Sequence, residues 1–568
     1  MSQTPAEDPP GLQLPIWVLV LAAGVAAYSM VAGWLAAWPL DLSLRDDAYY
    51  YFAWARSMAA GEGPCVTPGV PTSGVHVGWG MILAAAAQLL GPAALPSAGV
   101  VLGFCCHLAT GWLICGAVGT KNRASLLAGL VYVGSPFLVS EVLNGQETGL
   151  ACFCLALLWR FGRGGVVAFV LTSILAVCAR SDLIFFVCFL ALLERRTLVP
   201  RLIALGLVLS CYGVWNILLA GSWLQDSADP IPWLMVEELA HGGGSRWDRV
   251  LEGLRELGLG TKFRLSSTVM AAAWLLVAWL GWRRGDRSFL LLLLAGLALV
   301  CFHVLWRDYP RNYYFAPLGV MGGFALVRLA RLAPRTGLVF LLLGMLWNGW
   351  NFQYPPRHLG WQREMTMAGM FLGEVVPGGE AVGCFNAGLV TWNHGGRVVN
   401  LDGVVNAPAF EALERGDLLG YLNDQGVHYL VDNPIQFARQ GLHSNGRHFG
   451  PEFDPAADLT EAVRFLWPED PGERDREGIG RFSLYRLRGG GQPPIPLDET
   501  RDLGPAPGGG RFIAWPGRAG QGLRIGERTV LVAEADLVYV LQLPWAGDGP
   551  LRLYSGDGIV PVLEIARH

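Results

Sequence analysis

A series of apolar segments fills the first 351 residues and constrains the fold more than any other feature. The first, Leu14–Trp38, is long enough to cross a bilayer as a tilted helix, and its acidic flank is unlike that of a cleaved signal peptide. With 52% hydrophobic and 15% charged residues, the chain departs from the composition of soluble domains. We therefore expect a polytopic α-helical membrane protein. The further apolar segments are Val75–Leu90, Leu95–Val118, Ala124–Val139, Thr148–Phe161, Val166–Ala179, Leu183–Leu193, Leu198–Ala220, Leu265–Trp282, Ser288–Trp306, Tyr313–Leu329 and Gly337–Asn351.

Basic residues between these segments predict the topology, because loops rich in Lys and Arg stay on the cytoplasmic side. All the basic clusters fall inside if Val75–Leu90, which is short and flanked by Gly and Pro, is a juxtamembrane or broken helix rather than a crossing. The same rules then predict about 11 crossings in 1–352, with the loops 39–76 and 221–264 and everything after Asn351 outside the cytoplasm. The clusters are Lys121/Arg123, Arg160/Arg163, Arg195/Arg196, Arg283/Arg284/Arg287 and Arg328/Arg331/Arg335.

The polar region after the last apolar segment predicts smaller external domains. Residues 353–488 alternate short buried strands with helical stretches, a pattern typical of an α/β domain. The Gly- and Pro-rich segment 489–510 is interpreted as a linker, and the alternating runs of 511–568 as a small β module. The predicted strands are Glu380–Phe385, Arg397–Leu401, His428–Asp432, Thr529–Val532, Leu537–Leu543 and Leu551–Tyr554, and the predicted helices are Trp361–Val376 and Ala407–Leu413.

Charge and cysteine usage exclude some classes of function. The net charge of −4 provides no basic field for nucleic acid. No CxxC motif or His/Cys cluster has the spacing of a metal site. Cys65 and Cys384 are the cysteines outside apolar runs, and the sequence does not favour a disulfide between them.

Two adjacent carboxylates, Asp46 and Asp47, follow the first apolar segment and are the strongest candidates for catalysis. Asp is favoured at a helix N-terminus, so both could cap the short helix that begins at Ala48. One Asp suffices for a cap, and carboxylates beside a membrane are costly unless they are used. Because consecutive residues do not share a helix face, we expect one of the two to face a cavity, and we favour Asp46.

Other ionisable residues are predicted to gather on the same external face. His76 could bind a sugar hydroxyl or simply start a helix. Glu147 and the pair Arg180/Asp182 could bind substrate, or Arg180 and Asp182 could satisfy one another at a helix end. Arg307 and Arg311 could bind a phosphate or anchor the chain at the membrane interface. For Asp402, which precedes Gly403, a turn is favoured.

The order of these motifs resembles that of the GT-C superfamily of membrane glycosyltransferases, which use polyprenyl-phosphate sugars. The resemblance covers the membrane half and the first part of the soluble half, and it extends to protein-mannosyltransferase-like and arabinofuranosyltransferase-like bacterial branches. No counterpart is apparent for the module after Gly510. The matching motifs are Arg45-Asp46-Asp47-Ala48-Tyr49-Tyr50-Tyr51, Pro71-Thr72-Ser73-Gly74-Val75-His76, Asn144-Gly145-Gln146-Glu147-Thr148, Ala179-Arg180-Ser181-Asp182 and Asn400-Leu401-Asp402-Gly403-Val404-Val405-Asn406.

The resemblance implies an inner-membrane enzyme that transfers a sugar from a polyprenyl-phosphate donor to an external glycan, lipid or protein by an inverting displacement. A carboxylate of the first loop would be the general base for the acceptor hydroxyl. Some members use a divalent cation, although this sequence shows no convincing set of metal ligands. Two other classes stay open: a transporter, which would place its site at mid-membrane and often carries inverted repeats, and a non-catalytic scaffold or sensor.

Overall fold

The computed structural model describes most of the helical half and a large part of the soluble half. The predicted span Leu14–Trp38, Arg307 and most of the segment 489–510 lie outside the described residues. The external loop 221–264 is described in part. The described residues are 44–116, 123–242, 245, 247–248, 265–284, 287–306, 311–351, 362–376, 380–440, 444–466, 482–488, 501–505, 511–517, 522–525, 528–532, 537–543, 551–555 and 563–565.

Most predicted apolar segments of the first half are helices. Thr148–Phe161, Val166–Ala179 and Leu198–Ala220 have the predicted bounds, because each is an apolar run that Gly, Ser or charged residues terminate. The helices of this half are Asp46–Ala60, Val77–Leu90, Leu95–Gly116, Arg123–Val133, Pro136–Val142, Thr148–Phe161, Val166–Ala179, Ile184–Ala191, Leu198–Ala220, Pro230–Gly242, Leu265–Arg283, Ser288–Cys301, Ala316–Leu332 and Pro334–Asn351.

Among the described residues, four helices are long and apolar enough to cross a bilayer, and a fifth span results if one bent pair is counted. That pair is the predicted segment Ala124–Val139, which breaks by 57° ahead of Pro136. The break is expected, because proline cannot continue the hydrogen bonding of the preceding turn. About 11 crossings stays a prediction, since several other apolar helices are only 10–17 residues long.

The helices pack through small residues and leave apolar side chains outside. A Cβ on Gly149 would lie 2.7 Å from the carbonyl oxygen of Gly103, so these two glycines let Leu95–Gly116 and Thr148–Phe161 approach closely. On Leu198–Ala220, the exposed side chains include Leu207, Val214 and Leu218, which recur at helical spacing. An apolar stripe of this kind is suited to contact with lipid tails.

The soluble half is built on an eight-stranded sheet with the order β2-β1-β3-β5-β4-β10-β7-β6. Strands β1, β2 and β3 are parallel, and a second sheet has the order β12-β11-β8-β9. The strands are β1 Ala381–Cys384, β2 Val398–Asn400, β3 Val427–Asp432, β4 Leu459–Leu466, β5 Phe482–Leu487, β6 Arg501–Pro505, β7 Arg511–Gly517, β8 Gly522–Ile525, β9 Arg528–Val532, β10 Leu537–Leu543, β11 Leu551–Ser555 and β12 Leu563–Ile565. The helices are Gln362–Val375, Ala387–His394, Ala407–Arg415, Leu418–Asp424, Pro434–Phe437 and Pro455–Asp458.

The predicted boundary at 489–510 differs from the structure. Strand β6 lies inside the predicted linker, and β10 pairs in parallel with β4, for example Val540 with Phe465. Residues from 353–488 and 511–568 therefore share one sheet. Sequence patterns identify individual strands, but they do not show that a strand inserts beside another one far upstream.

The Asp46–Ala60 helix joins the two halves. The Arg56 guanidinium donates hydrogen bonds of 3.1 Å to the carbonyl oxygens of Thr391 and Trp392, at the end of the helix Ala387–His394. Phe52 packs edge-on against the Trp392 ring with a centroid distance of 5.9 Å. The soluble domain thus packs directly on the helix that follows the first predicted span.

Candidate active site

A cavity of about 550 Å³ lies where the helical half meets the soluble domain. Its volume falls in the range of sites for small molecules and cofactors. The helical half contributes the beginning of the Asp46–Ala60 helix, the turn before Thr148 and the external end of Leu198–Ala220. The soluble domain contributes the loops that follow β1, β2 and β3.

The two neighbouring acids point in different directions. Asp47 lines the cavity, and its Oδ2 accepts hydrogen bonds of 3.4 Å from the Gln146 amide and from the Tyr313 hydroxyl. Asp46 does not line it. Instead, its Oδ1 accepts a 2.6 Å hydrogen bond from the backbone N–H of Leu389, and it is only 6% exposed.

This arrangement corrects the expectation that Asp46 is the acid that faces the cavity. Asp46 caps the N-terminus of Ala387–His394 from a distant part of the chain, and burial raises the pKa of its carboxyl to about 8. A helix turns by about 100° per residue, so one of two neighbours had to face away from the cavity. Asp47 is the one that can reach a substrate.

Asp402 is a second cavity carboxylate, which the sequence analysis assigned only to a turn. The turn is present, since Asp402 Oδ1 accepts a 2.8 Å hydrogen bond from the N–H of Val404. Its Oδ2 accepts a hydrogen bond of 3.4 Å from the Tyr50 hydroxyl. Burial raises the pKa of the Asp402 carboxyl to about 7, and the nearby charge of Asp47 contributes in the same direction. The site therefore contains a carboxyl group that titrates near neutrality.

His76 and Glu147, two of the predicted substrate-binding residues, lie close together at the cavity. The His76 Nε2 lies 3.8 Å from Glu147 Oε1, and both residues line the cavity. The bend before Pro136 carries the turn Asn144–Glu147 to this position. Arg45 holds the same segment through an ion pair of 3.3 Å with Glu141. A broken span thus delivers polar side chains to the cavity.

Arg180 and Asp182 form a buried ion pair at the helix end. Two hydrogen bonds of 2.7 and 2.8 Å join them, and His303 Nε2 lies 2.8 Å from the same Asp182 carboxylate. Arg180 also donates to the carbonyl oxygens of Tyr313 and Tyr314, at 2.9 and 2.8 Å. Both partners line the cavity, but their contacts mainly fix the segment that carries these two tyrosines.

Arg311 lines the cavity beside Tyr313 and Tyr314. It is partly buried, and its position is consistent with a phosphate ligand. The other predicted phosphate ligand, Arg307, lies outside the described residues. Among the described residues, no group of three or more His, Cys, Asp or Glu side chains is arranged to hold a metal ion.

The two external loops of the helical half meet at the cavity wall. The Asp226 carboxylate accepts hydrogen bonds from the Thr72 hydroxyl at 2.5 Å and from the backbone N–H of Ser73 at 3.1 Å. The Gln225 amide donates to the carbonyl oxygen of Gly74 at 2.9 Å. A Cβ on Gly74 would lie 2.2 Å from the Val404 carbonyl oxygen, so only glycine permits this contact with the soluble domain.

One side of the cavity is apolar. On Leu198–Ala220, the lining residues Leu209, Tyr212, Gly213 and Asn216 follow the spacing of a single helix face. Phe185 and Phe302 lie on the same lining, and their rings contact each other with a centroid distance of 5.4 Å. The cavity therefore offers an apolar wall next to its carboxylates and cations.

The sequence analysis missed several polar lining residues, including Tyr50, Asn386 and Asp402. Asn386 and Asp402 share one detectable signal, because both come just after a predicted parallel strand. Side chains at the carboxyl ends of parallel strands meet at one edge of the sheet, where ligands bind in open α/β folds.

No protein-family model matches the chain, and no curated protein matches it. Among solved structures that match is an oligosaccharyltransferase of Archaeoglobus fulgidus in complex with Zn and sulfate. That protein is 13% identical, and the alignment covers 76% of this chain and 70% of the other with a TM-score of 0.46. Similarity of this degree assigns neither a family nor an activity to the chain.

Proposed function

We propose that the protein is a membrane glycosyltransferase that transfers a sugar from a polyprenyl-phosphate donor to an acceptor outside the cytoplasm. The observation that carries this proposal is the composition of the cavity. Asp47 lines a space that also contains the cation Arg311 and apolar side chains that include Leu209, Phe185 and Phe302. A base, a cation and an apolar wall match an acceptor hydroxyl, a phosphate and a lipid tail.

Each side chain has a role in the proposed displacement. The Asp47 carboxylate accepts the proton of the acceptor hydroxyl while that oxygen attacks the anomeric carbon. The bond between the anomeric carbon and the phosphate oxygen breaks, and its electron pair leaves with the polyprenyl phosphate. Arg311 stabilises the developing phosphate charge. Gln146 and Tyr313 hold Asp47 in position through their hydrogen bonds to its Oδ2.

His76 and Glu147 are proposed to bind the transferred sugar, since the two side chains approach each other on the lining beside Asp47. Arg180 and Asp182 are proposed to position Tyr313 and Tyr314 rather than to bind donor. This assignment follows from the contacts of Arg180 with both tyrosine carbonyl groups and with Asp182.

The proposal places the cavity on the external face of the cell (inner) membrane. Glu62 and Gln440 are exposed, the first in the loop 39–76 and the second in the soluble domain. In intact spheroplasts, Glu62→Cys and Gln440→Cys should both gain labelling by a membrane-impermeant maleimide over the parent chain. Arg284→Cys, in a predicted internal loop, serves as the protected control. Protection of either external position contradicts the topology.

The activity is tested with radiolabelled polyprenyl-phosphate sugars and native membranes from a strain that lacks the endogenous gene. The wild-type chain should transfer label to a non-extractable product with one donor of the panel. Asp47→Asn keeps the shape of the side chain but cannot accept the proton, so transfer should fall by roughly a hundredfold or more.

Asp46→Asn is the matched control, because the same substitution is made one residue away and outside the cavity. Asparagine can still accept the Leu389 hydrogen bond, so transfer should stay within a few-fold of wild type. Full activity of Asp47→Asn would remove the proposed base. No transfer from any donor of the panel by the wild-type chain would contradict the proposed reaction.

A further inference from the structure

The soluble domain presents the ligand-binding edge of its parallel strands to the cavity. Strand order β2-β1-β3 means that the chain moves from β1 to one neighbour and then crosses to the other side of β1. The loop after β1 and the loop after β3 therefore run in opposite directions along the edge of the sheet. Open α/β sheets bind ligands in the crevice between two such loops. Here the loops after these two strands carry Asn386 and Gln436, and both line the cavity.

Three amide side chains converge at this crevice. The Asn386 amide nitrogen donates a 3.0 Å hydrogen bond to Asp432, which fixes the orientation of the group. Asn445 donates a 2.7 Å hydrogen bond to the Gln436 side chain. This bond uses the NH₂ group of Asn445 and the carbonyl oxygen of Gln436. The carbonyl oxygen of Asn445 and the NH₂ group of Gln436 therefore remain for a ligand. If both amides are flipped, the two roles are exchanged and the same two kinds of group remain.

The Asn386 carbonyl oxygen is a further acceptor. It makes no hydrogen bond with any side chain or backbone group in the part of the chain that the structure describes. Together, the three amides offer two acceptors and one donor group to the cavity. A site with both donors and acceptors suits hydroxyl groups, because each hydroxyl can donate one hydrogen bond and accept others.

Two groups at this edge that could attract an anion are already occupied. Arg447, which lines the cavity near Asn445, forms an ion pair of 3.3 Å with Glu237 of the helical half. The N-terminus of Ala387–His394, which follows β1, is a position that favours anions. Asp46 fills it through its hydrogen bond to Leu389. Neither group is therefore available to attract a charged ligand.

We propose that this amide subsite, Asn386, Gln436 and Asn445, binds the acceptor and that the acceptor is a neutral saccharide. This inference rests on the proposed function and adds the chemical class of one substrate. A phosphorylated or otherwise anionic acceptor is not matched by three neutral amides and an arginine that is already paired with Glu237. The test below distinguishes a neutral saccharide from a peptide. The amides belong to the soluble domain and the apolar wall to the helical half, so donor and acceptor would be bound by different parts of the chain.

The test measures binding without turnover, so that it is independent of the proposed chemistry. Purified full-length chain in detergent, carrying Asp47→Asn, is applied to an array of immobilised neutral, carboxylated and sulfated oligosaccharides and synthetic peptides. We expect binding to members of the neutral class. Adding Gln436→Leu keeps the side-chain volume but removes the amide, and it should weaken that binding at least tenfold.

Gln440→Leu is the matched control, because Gln440 is exposed in the same segment and does not line the cavity. It should bind the array like the parent. Thermal unfolding of all three proteins shows whether they are folded. If Gln436→Leu loses its fold, Asn445→Leu replaces it, since this change removes the other amide of the pair and should also weaken the binding at least tenfold.

Several outcomes overturn the inference. These are binding confined to peptides or to anionic oligosaccharides, no binding to any neutral oligosaccharide, and equal binding by the Gln436→Leu and parent proteins. Failure of this test with intact sugar transfer refutes the amide subsite alone. Loss of transfer from every donor, with glycan binding intact, refutes the proposed reaction instead.

Discussion

Replacing Asp46 with alanine should destabilise the protein, whereas replacing Asp47 should leave it folded and inactive. The Asp46 carboxyl accepts the hydrogen bond of the fully buried Leu389 N–H. Alanine leaves that donor buried without its acceptor, which costs about 1–3 kcal/mol. Because the bond joins the helical half to the soluble domain, the loss should appear as earlier unfolding of the soluble domain. Thermal unfolding followed by tryptophan fluorescence in detergent measures it.

The dependence of the free energy of unfolding on pH has a defined sign. Burial raises the pKa of Asp46 from its ordinary value of 3.8 to about 8, so the folded protein holds a proton that the unfolded chain releases. The stability that this bound proton contributes is fully present below pH 3.8. It is lost as pH rises towards 8, by at most about 1.4 kcal/mol per pH unit. Asp46→Asn imitates the protonated acid, so it should flatten this slope and be nearly neutral in stability at pH 7.

Asp402 contributes in the same direction, since its pKa is raised to about 7. Some dependence on pH should therefore remain in Asp46→Asn and become smaller in the double variant with Asp402→Asn. It should not vanish, because burial also raises the pKa of the Asp226 and Asp432 carboxyls. An Asp46→Ala protein with unchanged unfolding temperature and no sugar transfer would refute the reasoning. It would show that Asp46 takes part in the chemistry and not in docking.

Three further predictions follow from the same contacts. Arg311→Lys should weaken donor binding at least tenfold if the guanidinium clamps phosphate with two hydrogen bonds, as titration with a fluorescent polyprenyl phosphate would show; unchanged affinity rules out the clamp. Gly388→Ala should lower the unfolding temperature, because its Cβ would lie 2.3 Å from the Asp46 carbonyl oxygen, whereas Gly206→Ala, at an open helix position, should not. Removing residues 489–568 should yield a chain that aggregates in detergent, because the edge of β4 loses its partner strand. A monodisperse truncated chain would contradict the continuous sheet.

Local patterns predicted the elements of the fold well. Apolar runs predicted the bounds of Thr148–Phe161 and Leu198–Ala220, and alternation predicted β10 as Leu537–Leu543. Both patterns are set by residues a few positions apart, so a single sequence contains them in full. The broken segment before Pro136 was predicted as one apolar run, since hydrophobicity alone does not report a bend.

Long-range partners could not be predicted in this way. The choice between Asp46 and Asp47 depends on a backbone N–H at Leu389, more than three hundred positions downstream. The role of Asp402 depends on which edge of the sheet faces the membrane half. The sequence shows that a turn follows β2, but nothing local to that turn indicates that Tyr50 lies opposite it.

The position of β10 has a consequence for the order in which the protein matures. The strand inserts between β4 and β7, so the main sheet cannot be completed until a segment well downstream of β4 has been synthesised. Contacts this distant in sequence form slowly. The helical half can therefore be inserted and packed while the wall that carries Asp402 is still being assembled. We expect a pulse-labelled chain to become protease-resistant in two steps, the helical half first, with the enclosed cavity completed last.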